Sequence, residues 1–328
     1  GYTALYTNTT GANSTAVGRA ALYTSNGDNN TAVGQRALYA NTTGAMNNAF
    51  GSGALGAVTT GEKNIGIGYL AGAAITDSED NVAVGQQALE GNSTGDRNIA
   101  IGTRALDENT VSDNLAVGHE ALRVNTTGTN NIAIGKGALD ANTTNNRNVA
   151  IGNDALGANN GASDNTAIGH ESMLVNTSGN SNVAVGKDSM HSNTTGSNNT
   201  AVGLDCLQAN TTGERNTAVG SAALDACTTG SNNTAVGYGA LTSATVGDQN
   251  TALGRGAMRD NTTGYYNVAV GYLALDKNTT ADRNTACGYE ALTNNTTGTN
   301  NVAVGNRALQ SHTTGYENTA IGSRAGDT

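Results

Sequence analysis

Small apolar residues recur along this chain in a fixed phase. Asn216-Thr217-Ala218-Val219-Gly220 is followed by Ala223-Leu224, and the order returns at Asn233-Thr234-Ala235-Val236-Gly237 with Ala240-Leu241. One glycine marks the phase from Gly1 to Gly322, every 17 residues except for two steps of 16, Gly18 to Gly34 and Gly102 to Gly118. A short fixed period over a whole chain marks a solenoid or fibre. Counted from the Asn, the repeat reads N-T/V-A-V/I-G-x-x-A-L-x-x-N-T-T-G-x-x. Glycine at positions five and fifteen, with Asn-Thr-Thr between, interrupts any helical period. Short strands separated by Gly and Asn turns fit instead. The pattern predicts an all-β fold: a parallel β-solenoid, or β-roll, with one 17-residue coil per repeat. About 19 coils form a single uncapped tandem array over residues 1–328. At about 4.8 Å per rung they would extend roughly 90 Å.

Side-chain alternation sets the next expectation. In a strand, positions two and four share one face and position three points the other way. Position four is aliphatic, so its face is expected to be buried. Position three is Ala in eighteen of nineteen repeats, Gly66 being the exception, so its face is confined too. One coil covers only one of them, and the other is expected to pack against identical chains around an axis. The alternative puts the alanines in a narrow coil interior and leaves position four as a shallow outer groove. Charge lies mainly in three variable pairs, as in Asp96-Arg97 and Glu214-Arg215, which implies three solvent-facing corners. The structural ladder is read as Asn216, Ala218, Val219, Gly220 and Leu224.

Asn at position one is expected to bond coil to coil. Asn at position twelve is replaced by Val58, Ile75, Cys227 and Ala244, so it is expected to point inward. At position fifteen, Asn145 is the expected substitute for a left-handed glycine, although Ser78, Ala162 and Ala281 weaken that requirement. The invariant phase glycine predicts positive φ or close backbone approach.

Composition narrows the function. With Gly 45, Pro 0, Trp 0 and Phe 1, the core must be thin and built from Ala, Val, Ile and Leu. A net charge of −10 argues against nucleic acid and anionic membranes as partners. No apolar run approaches the roughly 20 residues needed to insert in a bilayer. Gly1-Tyr2-Thr3-Ala4-Leu5 has no signal-peptide features, as a processed or excised segment would also lack them. Cys206, Cys227 and Cys287 read as small buried substitutes. Eleven sequons begin at position twelve, from Asn8 to Asn295, where an inward ladder argues against sugar. Asn13, Asn29, Asn198 and Asn232 begin sequons at a corner and are the better glycosylation candidates.

No catalytic, cofactor or metal pattern stands out, and the chain is not read as an enzyme. His119 and His170 share a corner position, but three coils part them, about 14 Å. Tyrosine is the only hint of a contact surface. Tyr272 and Tyr289 share position six on adjacent coils, and Tyr265, Tyr266 and Tyr316 enrich the C-terminal third. Such residues suit a glycan or receptor surface as well as plain ring stacking.

The Ala-Val-Gly-x-x-Ala core resembles the head repeats of YadA-type trimeric autotransporter adhesins. The longer A-L-x-x-N-T-T-G-x-x-N-T-A-V-G pattern is similar to repeats in bacterial and phage tail-fibre-like surface proteins. The resemblance implies a homotrimeric, left-handed β-roll outside a cell or virion, used as a stalk or for attachment. This repeat is longer than the family's, with an added Asn-Thr-Thr-Gly turn. Neither end carries a capping element, which suggests a window of a longer array or head-to-tail contacts that build a filament. The reading is an extracellular structural fibre or stalk whose partners are identical chains. An adhesin is the alternative, and loss of glycan binding on Tyr272→Ala would support it. An ice-binding solenoid is a third, discriminated by thermal hysteresis, though Thr at position two alternates irregularly with other residues.

Overall fold

The computed structural model describes residues 1–327. Nineteen three-residue strands, one per repeat, run parallel and build a β-solenoid of about 18 coils with about 17 residues per turn. Nineteen strands delimit eighteen turns, one fewer than the expected count. The chain divides into two units, residues 1–163 and residues from Asp164 onward. In the first, strands β1 (Thr15–Val17) to β9 (Val149–Ile151) pair in sequence order. In the second, β10 (Thr166–Ile168) to β19 (Thr319–Ile321) do the same. Val219 lies directly opposite Val236, so consecutive repeats stack rung on rung. The two short steps keep register, with Thr15 opposite Thr31 and Ile99 opposite Leu115. The missing residue is absorbed in the Asn-Thr-Thr-Gly turn: Asn98 Nδ2 donates to the Val111 carbonyl 13 residues on, whereas Asn131 Nδ2 reaches Asn145 14 residues on.

Within one chain the coil covers position three and leaves position four on the outside. Ala218 is 0 % exposed while Val219 is 37 % exposed, and the same contrast recurs from strand to strand. Two tight turns bring the chain round after each strand, so only one strand face looks into the coil. Alanines at positions three and eight, Leu at nine and two Asn amides fill that space. Even a methyl added at Gly66 would come within 2.8 Å of Leu55 Cγ. Position three is therefore small because it is inside. Volume compensates within a coil: where Gly72 replaces Leu, Ile75 replaces Asn, and a Cβ on Gly72 would lie 3.0 Å from Ile75 Cδ1.

The inward Asn ladders are present. At position one, Asn216 N–H donates to Asn199 Oδ1 (2.9 Å) and Asn216 Nδ2 to the Gly230 carbonyl (2.8 Å). At position twelve, Asn210 Nδ2 donates to Asn193 Oδ1 (2.8 Å) and to the Gly213 carbonyl (3.1 Å). These satisfy turn groups that no strand partner could reach. Among the described residues, three buried amide oxygens, on Asn41, Asn210 and Asn295, have no hydrogen-bond partner. In each case the next coil carries a non-Asn at position twelve: Val58, Cys227 and His312. The ladder stops where its next donor is replaced.

Backbone conformation departs from expectation at position fifteen. Neither Asn145 nor the glycines Gly44, Gly61 and Gly128 there have positive φ. Space is the constraint instead, since a Cβ on Gly44 would meet the Gly61 carbonyl and Asn41 Oδ1. The left-handed residues lie at positions seven, nine and seventeen, as at Ala222 (φ 55), Leu224 (φ 52) and Asn232 (φ 60). A left-handed Leu costs roughly 1–2 kcal/mol. Full burial of its side chain returns roughly 1.5–3 kcal/mol, which explains why Leu persists there.

Candidate contact surfaces

Three surfaces stand apart from the repeat's ordinary corners. The first is the outer strand face. Positions two and four carry no charged residue in any of the strands, only Thr and aliphatics apart from Asn48, Phe50 and Cys287. Val202, Val219 and Leu253 are 37 %, 37 % and 41 % exposed, on a face that a globular surface would make polar.

The second surface is a Tyr–Arg column at position six of the second unit. The residues are Tyr238, Arg255, Tyr272 and Tyr289 on consecutive coils. The Arg255 guanidinium lies 5.8 Å from the ring centres of both Tyr238 and Tyr272. Tyr272 and Tyr289 stack with centres 5.3 Å apart and planes 12° apart. Beside them, Gly239 and Gly256 occupy the left-handed position seven, with φ 62 and 64. Their missing side chains open a notch of about 120 Å³ between Tyr238, Arg255, Arg259 and Tyr272. Arg259 is held by Asp276 (3.0 Å) and Asp260 (3.2 Å). Burial pushes the Asp276 carboxyl up from its ordinary value, a shift that Arg259 opposes. Arg255 has no carboxylate partner among the described residues. The notch thus offers one guanidinium that is stacked between two tyrosine rings and carries no carboxylate partner.

The other tyrosines assigned to this surface lie elsewhere. Tyr265 and Tyr266 occupy positions sixteen and seventeen and pack edge to face at 5.4 Å, with Arg283 over Tyr266. Tyr316, also at sixteen, is 68 % exposed and makes no ring contact among the described residues. The first unit holds a stack that the sequence reading missed, Tyr6–Tyr23–Tyr39, with centres 5.3 Å apart at each step. Their spacing of 17 and then 16 residues, the repeat's own step, was the available signal.

The third surface is the position-seventeen turn, where Asn13, Asn29, Asn198 and Asn232 are exposed with φ between 56 and 60. Most position-twelve sequon asparagines, including Asn41, Asn125 and Asn210, are fully buried, so a folded chain cannot present them to a glycosylating enzyme. Cys206 and Cys227 are buried as expected, and burial pushes both thiols up to about 12. Cys287 is exposed, contrary to expectation, because position four faces outward. The sequence reading also missed that His170 and His191 share Glu171, at 3.8 and 3.6 Å. Their separation of one coil plus four residues hid the pairing.

Among the described residues, no helix is long and apolar enough to cross a membrane. The chain matches no protein-family model, and no curated protein matches it significantly.

Proposed function

We propose that this chain is a structural segment of an extracellular fibre or stalk, in which three copies associate laterally through their outer strand faces. One observation supports the reading above others: the uncharged, largely aliphatic row at positions two and four, partly exposed on strand after strand. A partner that matches this row over many rungs must share the rung spacing. Another copy of the chain does so, and its identical side chains meet apolar on apolar. Sedimentation equilibrium of the full chain is the test. The expected species has about three times the 32.8 kDa chain mass, and Val219→Lys shifts it toward monomer while far-UV circular dichroism is unchanged. Monomer at all concentrations up to about 100 μM would sink the lateral-association reading.

A specific observation favours a second role, recognition of an anionic saccharide. The Tyr238–Arg255–Tyr272 notch presents a guanidinium with no carboxylate partner, flanked by two aromatic side chains. On a glycan array, binding to uronate- or sialate-bearing sugars is expected, with Tyr272→Ala and Arg255→Ala each reducing it by about tenfold. Binding indifferent to both substitutions removes the notch from consideration.

A further inference from the structure

Position seven is acidic on three consecutive coils of the second unit, at Glu171, Asp188 and Asp205. Carboxylates stacked in one column repel each other. Around the first two, His170 Nε2 stands 3.8 Å from one Glu171 oxygen and His191 Nε2 stands 3.6 Å from the other. The Asp188 N–H donates to the His170 carbonyl (3.1 Å), which ties the two coils together at this corner. Glu171 and Asp188 share the same left-handed backbone, φ 54 at each. The Asp188 carboxylate is only 14 % exposed, and its Oδ1 is enclosed without a hydrogen-bond partner. Its other oxygen is held by Lys187 Nζ at 2.7 Å.

We propose that His170, Glu171 and Asp188 form a binding site for one divalent transition-metal ion, with His191 as a fourth ligand entering by side-chain rotation. One donor atom from each of the three already lies within 4.8 Å of the others. A tetrahedral ion with bonds near 2.1 Å needs its donors about 3.4 Å apart, a closure that side-chain rotation supplies. Imidazole mixed with carboxylate suits zinc, nickel or copper better than calcium or magnesium, which prefer oxygen alone. A bound cation neutralises the stacked acids. Lys187 is the competitor. Its side chain is 61 % exposed, so it swings into solvent when the ion enters.

Calorimetric titration of the full chain with Zn²⁺ tests this. One saturable ion per chain is expected. His170→Asn and Asp188→Asn each weaken binding by more than about tenfold, whereas Lys187→Gln strengthens it roughly two- to fivefold by removing the competing ammonium. Paramagnetic resonance of the Cu²⁺-loaded chain is expected to carry imidazole-nitrogen splitting that His170→Asn diminishes. His170 and Lys187 are exposed and Asp188 is mostly buried beside them, so circular dichroism checks that each variant stays folded. Absence of saturable binding, or binding unchanged by both His170→Asn and Asp188→Asn, overturns the proposal.

Discussion

Replacing Gly220 by alanine is expected to destabilise its coils by roughly 2–6 kcal/mol, the sum of backbone strain and overpacking. Gly220 has φ +130, and an alanine Cβ would lie 2.6 Å from the Gly237 carbonyl oxygen of the next rung. The strand-to-turn corner must swing the chain sharply inward, and adjacent rungs approach there backbone to backbone. Two effects therefore act together, and Gly322 separates them. Its φ is +128, but a Cβ there meets nothing closer than 3.9 Å. Gly322→Ala is expected to carry the conformational cost alone and to be clearly milder. Urea unfolding midpoints measure both, and hydrogen exchange locates the damage, since repeat arrays need not unfold in one step. A Gly220→Ala loss below about 0.5 kcal/mol would falsify the assignment of this glycine to close rung contact.

Leu224→Ala is expected to cost about 2–5 kcal/mol, through lost burial and the cavity left behind. The side chain is fully buried, and the thin interior has few neighbours able to collapse into the gap. Met173, Met190 and Met258 take the same place, also fully buried, so Leu224→Met should cost under about 1.5 kcal/mol. The Gly72–Ile75 coil suggests a rescue. Leu224→Gly combined with Cys227→Ile should be more stable than Leu224→Gly alone, because the isoleucine at position twelve refills the space vacated at position nine. Equal midpoints for the single and double variants would show that the two positions do not share volume.

Much of the architecture was legible in the sequence because a period of 17 leaves few options. Gly220 recurring with Ala218 and Leu224 required stacked short strands, and the apolar replacements of Asn at position twelve placed its ladder inside. The candidate surfaces were legible only in part. Tyr272 over Tyr289 follows from equal repeat position. Arg255 between two rings, the notch beside Gly239 and Gly256, and Glu171 between His170 and His191 depend on which corners adjoin. A repeat written as a line of positions does not encode that adjacency.

The sequence by itself determined that each repeat is one rung, in register with the next, because side-chain alternation and an invariant glycine repeat without drift. Only the tertiary structure decided which face of each strand looks inward. Ala218 and Val219 are both apolar, so hydrophobicity cannot choose between them. Coil curvature chooses: the turns after Gly220 and Leu224 close on the alanine side, leave room for a methyl group and little more, and turn the larger Val219 outward.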